Sequence, residues 1–361
     1  MAKYFCLLFF FLSCNNPKKN TQYEQIDENS KRVPDSCITA SEIAKYLTSD
    51  VEKEEEKIRA LYVWITHNIA YDVEKLRELR ELDKLKKADS LVNDSLYKPF
   101  EKDLSKILLS RKGICGDYSE IFKEMCTSIG IESYVISGYT QELDRYKIAE
   151  DSHAWNAVKI KDNYFLIDTT WDAGDIDEEG EFVYLFKDNY FLVSPQDFIK
   201  DHMPFDPIWQ FLDNPITNRQ FERKEFLNLK DKGDYNYRDS ISEMSTLDEA
   251  NRNKKKLQRI LFSGITNNLI QEEVDYLKIR IWNKDSKPYF DMLGMAHYEI
   301  ANAINKQDLS KIRLWKMKLK KARQGLNSIA TGETGSISQV TKEGALNWIT
   351  QMETNIKKAG Y

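Results

Sequence analysis

Apolar residues recur at helical spacing early in the chain: Ile43, Tyr46 and Leu47, then Ile58, Leu61, Tyr62, Trp64 and Ile65. Side chains three and four apart share a helix face, so this spacing predicts two helices joined by the charged stretch 51–57. Ser41 and Glu42 mark the start of the first, short of a full capping box. The stretch 73–104 is charge-dense, with leucines at positions 76, 79, 82 and 85. A period of three drifts around a helix, which predicts an exposed helical insertion with a solvated charged face.

Farther on, Tyr118, Ile121, Phe122, Met125, Cys126 and Ile129 form one buried helix face, ended by Gly130. Short β-type runs follow at 133–137, 155–160, 164–167 and 182–186, with 161–163 as a hairpin turn. Helical spacing returns at 247–261, 269–282, 289–304 and 309–326. A Gly/Ser/Thr-rich break at 330–338 then precedes a last helix. The pattern predicts an α+β fold, a helix packed on an antiparallel sheet, followed by an α-helical C-terminal region.

Composition narrows the function classes. The 361 residues include 53 basic and 58 acidic side chains, a net charge of −5, so no basic face for nucleic acid is expected. Five cysteines are too few for a disulfide scaffold. With four histidines they also make a metal cage improbable, and neither a glycine-rich phosphate loop nor a ligand cluster is evident, so no cofactor and no metal are expected.

Lys3 is followed by an almost wholly apolar run at 4–12 and by Ser13 and Cys14. About nine apolar residues cannot span a bilayer, where about 20 are needed, so the run reads as a secretory signal. The stretch F-L-S-C-N-N resembles a bacterial lipoprotein signal, with Phe11 where leucine is usual. That resemblance implies cleavage before Cys14, lipid attachment to it, and export to a bacterial membrane surface, with 15–29 as a polar tether.

Two short segments carry the chemistry. In R-K-G-I-C-G-D-Y, Cys115 lies between Gly113 and Gly116 at the start of the amphipathic helix. The positive end of a helix favours a thiolate, first-turn N–H groups can donate to an oxyanion, and flanking glycines admit a substrate backbone. In D-S-H-A-W-N-A-V, His153 opens a strand, and L-I-D-T-T-W follows the turn. A thiol nucleophile needs an imidazole for its proton, and the imidazole needs a carboxylate or amide to fix its tautomer. A turn at Asp162 and Asn163 pairs Ala157 with Asp168, four strand positions or roughly 13 Å from His153. That register favours Asp172 as the neighbour and needs a bent strand for Asp168.

These segments resemble the transglutaminase-like superfamily of papain-related folds, in particular the branch with the kyphoscoliosis peptidase and cytokinesis-associated proteins. The matching stretches are V-W-I-T-H-N-I-A-Y-D (63–72), the cysteine segment, H-A-W-N (153–156), D-T-T-W-D-A-G (168–174), Y-F-L-V-S-P (190–195) and H-M-P-F-D-P-I-W-Q (202–210). The resemblance covers roughly 41–212. It implies a papain-like core and a Cys115, His153, Asp168 triad, and so selects Asp168 over Asp172. It also implies a cysteine peptidase or amidase, or an acyltransferase, acting on peptide or isopeptide bonds through an acyl-enzyme. The substrate would be a protein or peptide, including a cell-envelope peptide, with Trp155, Trp171 and Gly116 as groove candidates. The alternative is a catalytically silent module that recruits partners through its helical additions. The organisation expected is a signal peptide at 1–13, lipidated Cys14 and tether at 14–40, a catalytic domain at 41–244 with the 73–104 insertion, and a helical domain at 245–361.

Other candidates read as structural. Cys126 falls on the buried helix face, Cys37 has no partner of evident spacing, His67 and His202 fall in a core helix and the closing loop that the resemblance implies, and His297 on a C-terminal helix has no nearby chemistry. The acids from Asp172 to Glu181 lack the glycine and terminal glutamate of an EF-hand loop.

Overall fold

The computed structural model describes residues 21–88, 103–141, 148–227, 235–330 and 337–361. In chain order the first elements are α1 (Glu24–Ser30), α2 (Ala40–Leu47), α3 (Glu54–Asn68), β1 (Ala70–Tyr71), α4 (Val73–Ala88) and α5 (Leu104–Ser110). Then come β2 (Lys112–Gly113), α6 (Cys115–Ser128), β3 (Ser133–Thr140), β4 (His153–Ile160), β5 (Asn163–Ile167), α7 (Thr169–Ala173), β6 (Gly174–Ile176) and β7 (Phe182–Tyr184). The remainder is α8 (Pro195–Phe198), β8 (His202–Pro204), α9 (Asn218–Glu222), α10 (Tyr237–Thr246), α11 (Glu249–Ser263), α12 (Asn268–Asn305), α13 (Leu309–Ser328) and α14 (Ile337–Lys358). The chain divides into two compact units, residues 1–78, 102–135 and 154–194, and residues 79–101, 136–153 and 195–361.

In the first unit the apolar stripes of the sequence meet in one cluster. Ile43, Leu61, Trp64 and Ile65 pack with Tyr118, Ile121, Phe122 and Met125 of α6 and with Val158 and Ile167 of the sheet. Each large aliphatic side chain removed from water contributes about 1.5–3 kcal/mol, so this cluster holds α6 in place. Helix α3 is buried on every face from Ile58 to Thr66, because α1 covers its far side. Arg59 is thereby enclosed, and Asp27 accepts from it at 2.7 and 2.8 Å while Asp188 accepts on the other side. Burial opposes its charge most strongly, yet the two carboxylates together outweigh burial and hold the guanidinium more firmly protonated than usual.

Helix α2 starts earlier than Ser41. Thr39 is its N-cap and forms a full capping box with Glu42, each side chain bonding the other's backbone N–H.

The strand order in this unit is β5-β4-β3, and β4 and β5 run antiparallel. Ile160 faces Asn163 and Ala157 faces Leu166, so the turn is Lys161–Asp162, with Lys161 in the left-handed region at φ 56°. The ladder is therefore two residues away from the expected register. Helix α6 lies on this sheet through Val158 and through Asn156, whose amide donates to Ser119 O at 2.9 Å. That is the expected arrangement of a cysteine-bearing helix packed on an antiparallel sheet.

In the second unit, the end of β3 pairs antiparallel with β8, Gly138 facing Pro204 and Thr140 facing His202. Tyr139, Met203 and Phe221 pack with Ile260, Val274 and Leu277 of α11 and α12. The spacing predicts two helices at 269–282 and 289–304, but α12 runs unbroken for 38 residues with Pro288 inside it. An interior proline costs about 3 kcal/mol. Packing on both sides of it offsets this cost: Trp282, Ser286 and Leu293 are buried, and Tyr289 lies so close to Gly325 of α13 that a Cβ there would come within 2.1 Å of its ring. Leu293, Ile300, Trp315, Leu319 and Ile349 join α12, α13 and α14 in a further cluster. Among the described residues, no helix is long and apolar enough to cross a membrane. Cys14 and the signal-like segment lie outside the described residues.

Candidate active site

Cys115 is the first residue of α6 and is half-buried. The turn before it is clamped from several directions. Strand β1 pairs in parallel with β2, Ala70 N–H donates to Arg111 O at 2.8 Å, and Asp72 N–H donates to Gly113 O at 2.9 Å. Tyr118 donates its hydroxyl to Ile69 O. Within the first turn, the Asp117 carboxylate accepts from Ile114 N–H at 2.9 Å, while Asp117 N–H and Tyr118 N–H donate to Ile114 O. The N–H groups of Cys115 and Gly116 precede the first i→i−4 bond and point off the helix end, where an oxyanion could be held.

Gly113 has a use inside the protein. A Cβ there would lie 2.8 Å from Asp117 Cβ and 3.3 Å from its Oδ2. The glycine makes room for the capping carboxylate, a close approach inside the protein.

Asp168 is fully buried and caps α7, its Oδ1 accepting from Thr170 N–H at 2.8 Å and Trp171 N–H at 3.0 Å. Its own N–H donates to Tyr190 O at 3.1 Å. The observed register, carried one residue past Ile167, sets Asp168 across from Trp155, only two positions along β4 from His153. The observed ladder therefore differs from the register that favoured Asp172.

Asp172, the alternative that simple register favoured, is taken up elsewhere. It accepts from the Tyr62 hydroxyl, from Asn189 N–H at 3.0 Å and from Tyr190 N–H at 2.6 Å. Burial pushes its carboxyl up to about 6 despite these donors.

His153 opens β4, three residues ahead of the Asn156 that pins this strand to α6. In the second unit its ring centroid is 5.7 Å from that of His202. His202 is fully buried, with Nδ1 2.5 Å from Asp201 Oδ1 and its ring 4.2 Å from that of Phe198. Trp155 is buried in the sheet, whereas Trp171 is half-exposed and meets Tyr190 edge to face at 5.4 Å.

Cys126, Cys37 and His67 have structural surroundings. Burial pushes the Cys126 thiol far up, Cys37 packs against the first unit's core, and His67 Nδ1 is 2.9 Å from Val63 O. His297 is exposed on α12. Among the acids between 172 and 181, Asp177 accepts from Glu181 N–H in the β6–β7 turn and Asp175 pairs with Lys187.

Sequence reasoning missed Asn156, Asp117 and Lys75 as parts of this region. Lys75 Nζ is 2.6 Å from Asp117 Oδ2. An acid at the third position of a helix is a readable cap, but its cation lies 42 positions back in the charged insertion, where nothing local marks it.

The profile of the Transglutaminase-like superfamily matches residues 41–169. The chain is 32% identical over 214 residues to the kyphoscoliosis peptidase of Homo sapiens and 31% over 209 residues to that of Mus musculus; the matches cover 57% and 56% of this chain and 29% of each relative. It is 24% identical over 223 residues to hillarin of Drosophila melanogaster, covering 57% of this chain and 25% of hillarin. The aligned part therefore spans less than a third of each of these relatives. Residues 41–169 are thus similar to the Transglutaminase-like superfamily, and in this stretch the cysteine-bearing helix packs on an antiparallel sheet.

Proposed function

We propose that the protein is a thiol enzyme that cleaves peptide or isopeptide bonds. Cys115 attacks the amide carbonyl, and its N–H and that of Gly116 hold the oxyanion. His153 takes the thiol proton and returns it to the leaving amine. Asp168 orients the imidazole. The resulting thioester is released to water, which regenerates Cys115 and frees the acid product. The observation that carries this reading is the buried Asp168 carboxylate, held by two N–H groups of its own helix start. The relatives named as peptidases support a hydrolytic outcome. Export and attachment through lipidated Cys14, with Trp171 and Gly116 lining a substrate groove, are part of the same proposal.

The test pairs Cys115→Ala with a thiol-directed electrophile and a library of peptides, cell-envelope fragments and amine donors. Wild type should be labelled at the Cys115 peptide and should cleave or transfer at least one amide. The variant should lose that turnover by about 10³-fold or more while melting within a few degrees of wild type. Equal turnover by both proteins would discard the scheme and leave the partner-recruiting module as the better reading.

A further inference from the structure

We infer that Lys75, on the first turn of the charged insertion helix α4, is a positioning residue for Cys115: by neutralising Asp117 it keeps the positive end of α6 available to the thiolate. This rests on the proposed role of Cys115 as nucleophile. A helix start attracts anions, and α6 has two candidates within three residues, the Cys115 thiolate and the Asp117 carboxylate. Asp117 is buried and accepts from Ile114 N–H, the N-cap of α6, so its charge sits at the same helix start as the cysteine. Unneutralised, it would repel the thiolate through a region of low dielectric. Lys75 Nζ at 2.6 Å from its Oδ2 offsets that charge.

The lysine is held in position by backbone. Asp72 Oδ1 accepts from Lys75 N–H at 3.0 Å, and Asp72 N–H donates to Gly113 O at 2.9 Å, two residues before the cysteine. The same segment is bound by the β1–β2 pair. Thus the start of α4 and the start of α6 are one hydrogen-bonded unit. Gly113 completes it by leaving the space that Asp117 fills. The insertion therefore contributes a cation to the cysteine turn, beyond presenting a solvated face.

The test measures the alkylation rate of Cys115 by iodoacetamide at pH 7, resolved by peptide mass spectrometry, with half-exposed Cys37 as internal reference. Lys75→Met should slow Cys115 about twofold to fivefold relative to Cys37. Lys75→Arg should retain most of the wild-type rate. Lys75→Met combined with Asp117→Asn should restore the rate, because no uncompensated carboxylate remains. A purely structural role for the pair predicts the opposite, a double variant at least as impaired as the single one. That result, or a Lys75→Met rate equal to wild type, overturns the inference while leaving the nucleophile in place. A wild-type Cys115 no faster than Cys37 would remove both readings together.

Discussion

The two ends of α7 each bury an aspartate, and the fold uses them differently. At its start, Asp168 Oδ1 accepts from the Thr170 and Trp171 N–H groups, residues of the same helix. In its last turn, Asp172 spreads both oxygens over distant groups, Asn189 N–H on Oδ1 and Tyr190 N–H and the Tyr62 hydroxyl on Oδ2. The first pattern fixes a carboxylate within its own turn; the second ties α7 to α3 and to the segment before α8. Both groups are acids, fully buried and four residues apart, so neither residue type nor burial distinguishes them. The source of their hydrogen bonds does. A carboxylate fixed by its own turn can orient an imidazole, whereas one consumed by tertiary contacts serves the core.

The largest expected effect comes from Asp168. Asparagine is as good an N-cap as aspartate, while alanine forfeits about 1–2 kcal/mol of cap stability. Asp168→Asn should therefore hold the wild-type urea midpoint, and Asp168→Ala should lose stability by that amount. Both should lose turnover by about 10³- to 10⁴-fold, since neither carries the charge that stabilises an imidazolium. Measuring kcat/KM and urea unfolding on both variants separates capping from orientation. An Asp168→Asn protein that turns over substrate normally would break the distinction drawn between the two acids.

Asp172 gives a smaller effect of a different kind. Burial, partly offset by its donors, raises its carboxyl to about 6 in the folded protein from an ordinary 3.8. Between those values the folded protein keeps a proton that the unfolded chain releases. The associated stability is fully present below the unfolded value and is lost as pH rises through about 6. A displacement of about two units corresponds to about 3 kcal/mol. Asp172→Asn does not titrate, so wild type should lose up to about 3 kcal/mol relative to it between pH 4 and pH 7. Urea midpoints of both proteins across that interval check this, and a constant gap would show that Asp172 is ionised throughout.

The sequence displays the parts of this fold that depend on local periodicity. The stripe from Tyr118 to Cys126 is the buried face of α6, and the β-type runs became β3, β4 and β5 with their ends extended. The Asp168 and Asp172 alternatives stayed open at that level because they depend on one turn. Lys161 accepts a left-handed conformation and moves the turn back by one residue, which shifts the pairing by two. Continuity of α12 through Pro288 was likewise not legible, since the compensation comes from Gly325 on another helix. Lys75 was unreadable for the same reason: its meaning lies in an acid far along the chain. Local chemistry marks a helix start, but only tertiary contacts decide what an anion there is for.

A third helix start sharpens this point with the smallest effect. At α2, Thr39 and Glu42 form a complete capping box on the exposed surface, remote in sequence from the cysteine turn. Glu42 is held below its ordinary range by its bonds to Thr39, its hydroxyl first and then its backbone, and by the Ile38 N–H. The reciprocal bonds satisfy first-turn donors and serve no proton or thiol. Thr39→Ala should therefore cost about 1 kcal/mol in urea unfolding. It should leave the alkylation rate of Cys115 and the turnover of substrate at wild-type values. A cap variant at α2 that slowed Cys115 would mean that α6 reactivity follows global stability, and the separate roles assigned to Asp117, Asp168 and Asp172 would collapse into one.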